Sequence, residues 1–227
     1  MLRFLAALAF SACALASTSA PAQAPAPPAI AAAAWTLVDV TSGQTIASHQ
    51  ADERRDPASI TKLMTAYVVF GALRQKSIVP SQMVSVSERA WRAEGSRMFI
   101  EPRKSVSVDE LLHGMIVQSG NDASIALAEA VAGSEPTFAE LMNGYARQLG
   151  MKDSHFQHAT GLPGPQHYVT ARDMAVLASA IPALLRVNQM GASLANVRHE
   201  LAILWGLSIV FFGAAAFAQA ARARRTA

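Results

Sequence analysis

Between Ser59 and Arg74 the chain reads as a helix with almost no polar side. Ile60, Leu63, Met64, Tyr67 and Val68 fall on one face at helical spacing, and Val69, Phe70 and Leu73 make most of the opposite face apolar too. A helix that is apolar all round belongs in a core, so the rest of the fold has to wrap around it. Ser59 stands at its N-terminal end. Lys62 follows three residues on, which puts a hydroxyl and an amine on one face of the first turn.

The flanking sequence supplies the wrapping. Trp35, Leu37 and Asp39 alternate with Thr36, Val38 and Val40, Ser42-Gly43 offers a turn, and Thr45 to Ser48 continues as a second extended piece. This pattern predicts a β-hairpin. The charged segment Ala51 to Pro57 ends in a proline that disfavours helix at Asp56, so a helix starts just after it. Ser107-Val108-Asp109-Glu110 is a capping box, with Val108, Leu111, Leu112, Met115 and Ile116 facing inward behind it. That helix runs into Ser119-Gly120-Asn121, after which Asn121 or Asp122 is predicted to cap a helix from Ala123 to about Ala132, closed by Gly133. Phe138, Leu141, Met142, Tyr145 and Leu149 mark a further amphipathic helix ending at Gly150, and Thr170-Ala171-Arg172-Asp173 caps one from Ala171 to about Ile181. The body is therefore α+β, a short hairpin followed mostly by helices. No internal repeat is present.

The two ends differ from this body. Residues 1–24 carry Arg3, an apolar run from Phe4 to Ala16 and a small-residue Ala22-Gln23-Ala24 site, the pattern of a secretory signal peptide. The alternative, a membrane anchor, needs roughly 20 apolar residues and the run is shorter. Residues 25–34 are almost wholly Ala and Pro and read as a linker. Residues 35–181 form the folded domain and 182–200 a connector. Leu201 to Ala221 is uncharged and long enough to span a bilayer, and the basic tail 222–227 with Arg222, Arg224 and Arg225 would lie on the cytoplasmic side. A buried core helix is the rival reading of 201–221.

Removing Arg3, Arg222, Arg224 and Arg225 from the 19 Lys and Arg leaves 15 against 16 Asp and Glu, so the folded body is near neutral. No basic stripe with interleaved aromatics suggests a nucleic-acid partner. Cys13, the only cysteine, lies in the leader, which excludes disulfides and cysteine metal sites from a cleaved product. His113, His155, His158 and His167 fall at no metal-ligand spacing and read as surface or packing residues. The sequence calls for no cofactor and no metal.

A serine hydroxyl is a poor nucleophile at neutral pH and needs an adjacent base. A lysine serves only when neutral, which burial in an apolar helix and the positive end of the helix dipole both favour. Ser-x-x-Lys alone is a common accident. Ser119-Gly120-Asn121, downstream between two helices, adds a second hydroxyl able to relay protons and an amide able to order the lysine and bind a substrate amide.

Ser-x-x-Lys followed by Ser-x-Asn is the order found in β-lactamases and penicillin-binding proteins. The segment Arg54 to Thr65 resembles the active-site region of the serine D-alanyl-D-alanine carboxypeptidases, low-molecular-weight penicillin-binding proteins of peptidase family S11. Gln118 to Ala123 resembles their second motif, and Ser96-Arg97-Met98-Phe99 and His167 to Ala175 match further blocks, so the resemblance runs from about Ala34 to Ile181. It implies a β-lactamase/transpeptidase-like fold and a periplasmic enzyme on the inner membrane. Its substrate would be a peptidoglycan stem peptide ending in D-Ala-D-Ala, and β-lactams would be its covalent inhibitors. By the same resemblance Ser59 attacks the terminal peptide bond, Lys62 is the base, Ser119 completes proton transfer and Asn121 binds substrate.

The family's third motif, Lys-Thr-Gly, is missing from this sequence, which has no lysine after Lys152. Ala159-Thr160-Gly161 lacks the charge and reads as a decoy. In the family that motif lies on a strand beside the site, engages the substrate carboxylate and helps form the oxyanion hole. The expectation is therefore a truncated domain with an incomplete sheet and weak or no carboxypeptidase activity in isolation. A catalytically silent membrane-tethered binding module and a frameshift or fusion after about Ile181 are the alternatives.

Overall fold

The computed structural model describes residues 30–186. The leader, linker residues 25–29, the connector beyond Arg186, the apolar segment 201–221 and the basic tail lie outside the described residues. Among the described residues no helix is long and apolar enough to cross a membrane.

Strands β1 (Trp35–Val38) and β2 (Thr45–His49) form an antiparallel hairpin in which Trp35 pairs with His49 and Val38 with Thr45, with a bulge between Leu37 and Val38. Asp39 builds the turn: its carboxylate accepts from the Thr41 N–H at 2.8 Å and the Ser42 hydroxyl at 2.9 Å. A second small antiparallel sheet, absent from the sequence reading, pairs β3 (Met83–Val84) with β4 (Val106–Ser107). Two residues per strand are too short for alternation to register.

The helices are α1 (Lys62–Arg74), α2 (Glu88–Trp91), α3 (Val108–Val117), α4 (Asn121–Ala132), α5 (Glu135–Leu149) and α6 (Ala171–Arg186). Helix α1 packs against α3, α4, α5 and α6 together, which accounts for its lack of a polar face. Met64, Val68, Val69 and Phe70 are fully buried on it and meet Leu111, Leu127, Phe138 and Leu177 in one core. Burying a side chain of this size contributes roughly 1.5–3 kcal/mol, so this cluster dominates the fold's stability.

The predicted punctuation holds in most places. Ser107 and Glu110 form the reciprocal capping box on α3, and Gly133 and Gly150 close α4 and α5 in left-handed conformation. Two expectations change. Neither Asn121 nor Asp122 caps α4 from outside, because both belong to the helix and Gly120 occupies the cap position. Their side chains are engaged elsewhere, as described below. Helix α6 also passes through Pro182 to Arg186 instead of ending at Ile181. Ile181 and Leu184, three residues apart across the proline, are both buried, and that packing offsets the lost backbone hydrogen bond.

Candidate active site

Ser59 does not begin the α-helix directly. It lies in a single 3-10 turn, Ala58–Thr61, that leads into α1, and Ala58 before it adopts a left-handed φ of 46°. Ser119 does the same between α3 and α4, with φ 56°. Left-handed geometry at a residue with a side chain costs on the order of 1–3 kcal/mol and persists where surrounding contacts impose it. Both predicted serines thus sit at strained corners of the chain.

Lys62 lies at the centre. Its Nζ donates to Asn121 Oδ1 at 2.7 Å and to the Thr160 carbonyl at 2.7 Å, and reaches Ser59 Oγ at 3.4 Å. Only 7% of the residue is exposed. Burial brings its pKa down from 10.5 to about 8. At neutral pH that shift raises the neutral amine population by about 300-fold over a free lysine. Ser59 is an exposed residue, and the distance of its Oγ from Nζ is at the long end for proton transfer, as is common in sites without substrate.

Asn121 is fixed from both ends. Its Nδ2 donates to the Glu94 carbonyl at 2.6 Å, which leaves Oδ1 facing Lys62, and its backbone N–H donates to the Ser96 carbonyl at 2.7 Å. Asp122 secures the loop that supplies those carbonyls. It is buried, and its carboxylate accepts from the N–H groups of Met98, Phe99 and Ile100 at 3.0, 2.8 and 3.2 Å. Ser119 Oγ is buried with no hydrogen-bond partner among the described residues.

The remaining wall is the stretch set aside as a decoy. The Thr160 carbonyl holds Lys62, the Ala159 carbonyl accepts from Thr65 Oγ1 at 2.8 Å, and Gly161 backs onto the turn that carries Ser59. A methyl group on Gly161 would lie 1.9 Å from the Ala58 carbonyl oxygen, so only glycine allows this approach. Its φ of +89° requires glycine independently. The wall is anchored from behind: Ala159 N–H donates to Glu135 Oε1 at 3.0 Å, and Glu135 is paired with Arg89. Gln157 N–H donates to His167 Nδ1 at 3.0 Å, so the proton of His167 sits on Nε2 and is given to Thr61 Oγ1 at 2.9 Å. Burial, reinforced by His158 and His155, holds the His167 pKa down to about 4.

The structure thus brings Ser59, Lys62 and Asn121 together. Sequence reasoning missed Thr160, Gly161, Glu94 and Asp122. Two of these act through backbone carbonyls, which carry no residue signature, and Asp122 acts on a loop more than twenty residues away. Among the described residues no group of three or more His, Cys, Asp or Glu is arranged to hold a metal.

This arrangement has clear relatives. Residues 21–196 match the peptidase S11 family model, described as D-alanyl-D-alanine carboxypeptidase. The chain is 48% identical over 160 residues to the D-alanyl-D-alanine carboxypeptidase DacC of Escherichia coli K12, covering 68% of this chain and 40% of that protein. It is 44% identical over 158 residues to DacA of Haemophilus influenzae, again covering 40% of the relative. Among solved structures, penicillin binding protein 5 from Haemophilus influenzae superposes with a TM-score of 0.68 at 43% identity, over 70% of this chain and 47% of that one. Penicillin binding protein 6B from Escherichia coli gives 0.68 at 41%, over 72% and 55%. The chain spans about 40% of the length of the curated relatives it matches. With the α+β, transpeptidase-like architecture and the sequence blocks in agreement, the chain belongs to the S11 family of D-alanyl-D-alanine carboxypeptidases.

Proposed function

We propose that this chain carries the acylation site of a serine-type D-Ala-D-Ala carboxypeptidase acting in peptidoglycan maturation. The observation that carries the reading is the Lys62 amine: buried, lowered to about 8 and within 3.4 Å of Ser59 Oγ. Neutral Lys62 takes the Ser59 proton as Oγ attacks the carbonyl carbon of the terminal D-Ala-D-Ala bond. The C–N bond then breaks, D-alanine leaves with a proton supplied through Lys62 and Ser119, and an ester forms on Ser59. Water hydrolyses that ester in the second half-reaction. Asn121 orders the lysine and binds the stem-peptide amide. A β-lactam acylates Ser59 by the same attack, and its ring opens.

Residues 1–24 direct export in this reading, and 201–221 hold the domain at the periplasmic side of the inner membrane. No Lys-Thr-Gly lies in the sequence, and one oxyanion-hole donor is worth roughly 10² to 10³ in rate, so turnover by this chain alone is weak. The exposed Ser59 side chain favours a second reading, in which the domain binds peptidoglycan or a partner without turning it over. Membranes bearing the chain, incubated with a fluorescent penicillin, separate the two. Covalent labelling lost in Ser59→Ala supports the acylation site, whereas a folded wild type that never labels supports the binding module.

A further inference from the structure

The proposed reaction leaves one imidazole at the site without a task. His158 stacks on His167 with ring centroids 4.2 Å apart and planes 22° from parallel. Its Nδ1 faces the Thr160 hydroxyl at 3.3 Å and the Gly161 N–H at 3.4 Å. A backbone N–H can only donate, so Nδ1 is the acceptor and the ring proton sits on Nε2. The Thr160 hydroxyl is free to donate as well, because its oxygen accepts from the Leu162 N–H at 3.3 Å. Nε2 is buried with no hydrogen-bond partner among the described residues.

The two residues that His158 grips are the two that touch the site. Thr160 presents the carbonyl that holds Lys62, and Gly161 presses on the Ala58 carbonyl next to Ser59. We propose that neutral His158 is a positioning residue for Lys62: by accepting from Thr160 and Gly161 it locks the turn that closes the lysine pocket. The inference rests on Lys62 being the base of the proposed reaction. Protonation of His158 would set its Nδ1–H against the Gly161 N–H and force the Thr160 hydroxyl to turn from donor to acceptor, which loosens the turn. The charged groups facing the ring are Lys62 and Arg89, which oppose a second positive charge, and Glu135, which favours one. Burial outweighs Glu135 and the Leu162 backbone contact and lowers the imidazole's pKa below its ordinary value.

The full chain in detergent, labelled with ¹³C and ¹⁵N, tests this by NMR. The ¹⁵N shifts of His158 should show the proton on Nε2, and Lys62 should titrate near 8. His158→Asn keeps an acceptor close to the position of Nδ1 and should retain that midpoint. His158→Phe keeps the stacked ring without the acceptor, admits water to the lysine, and should move the midpoint upward toward 10.5 while the far-UV circular dichroism stays unchanged. A wild-type His158 protonated on Nδ1, or a folded His158→Phe protein whose Lys62 titrates as in wild type, overturns the proposal. The tautomer is read on the unmutated protein, so the test survives a variant that does not fold. Penicillin labelling in the same samples reports separately on Ser59: absence of labelling counts against the proposed function, while the lysine midpoint decides the role of His158.

Discussion

The helical body and the N-terminal hairpin rest on different amounts of support. In the body, α1 is enclosed on every side, and Phe70 and Phe138 have no exposed surface. In the hairpin, Leu37 is 53% and Ile46 64% exposed, and β1 packs on α6 and its partner strand. A two-stranded hairpin alone is marginal, so the body holds the hairpin rather than the reverse. Lys62, Asn121 and Thr160, which form the closed side of the site, all belong to the body. Ser59 lies on the turn between the two regions, exposed and with its hydroxyl at a long 3.4 Å from the lysine amine.

That contrast can be broken at several points. Phe70→Ala removes a fully buried ring from the centre of the body and should cost about 3–5 kcal/mol in denaturant unfolding. A cost below 1 kcal/mol would mean that α1 is not the organising helix. Acid should expose the body next. The folded pKa of His167 is about 4 against an ordinary 6.5, so the unfolded chain binds a proton that the native state refuses between these values. Stability therefore rises with pH across that window, and lowering the pH from 6.5 to below 4 should remove about 3 kcal/mol through this residue. In His167→Gln that dependence should flatten, which a series of melts at different pH would reveal.

Gly161→Ala addresses the junction between wall and turn. The added methyl meets the Ala58 carbonyl oxygen and the backbone must move, at a cost on the order of 1–3 kcal/mol. Penicillin labelling at Ser59 should slow in this variant even at temperatures where it stays folded. The smallest effect belongs to the hairpin. Ile46→Ala should change stability by less than about 0.5 kcal/mol, since its side chain is mostly exposed. A loss as large as that of a core residue would show that the exposed hairpin face is covered in solution.

Much of the body was legible because its signals are local. The capping box at Ser107, the glycines after α4 and α5, and the apolar surround of α1 each lie within a few residues of what they determine. Ser59, Lys62 and Asn121 were legible as a set, since Ser-x-x-Lys and Ser-x-Asn constrain side-chain types. The support around them was not. Thr160 and Glu94 contribute carbonyl oxygens that any residue could offer, and Asp122 looks in sequence like a helix cap although its carboxylate holds a distant loop. The passage of α6 through Pro182 was hidden for a related reason, because burial of Ile181 and Leu184 on other elements outweighs the local signal to stop.

If the neutral form of the buried Lys62 amine activates Ser59, acylation must follow the titration of that amine. Purified chain is mixed with a penicillin between about pH 6 and 9, and the Ser59 adduct is followed by intact mass. The rate should rise tenfold per pH unit below about 8, level off above it, and vanish in Ser59→Ala. A rate independent of pH across that range, or an adduct that persists in Ser59→Ala, would mean that Lys62 is not the base for Ser59.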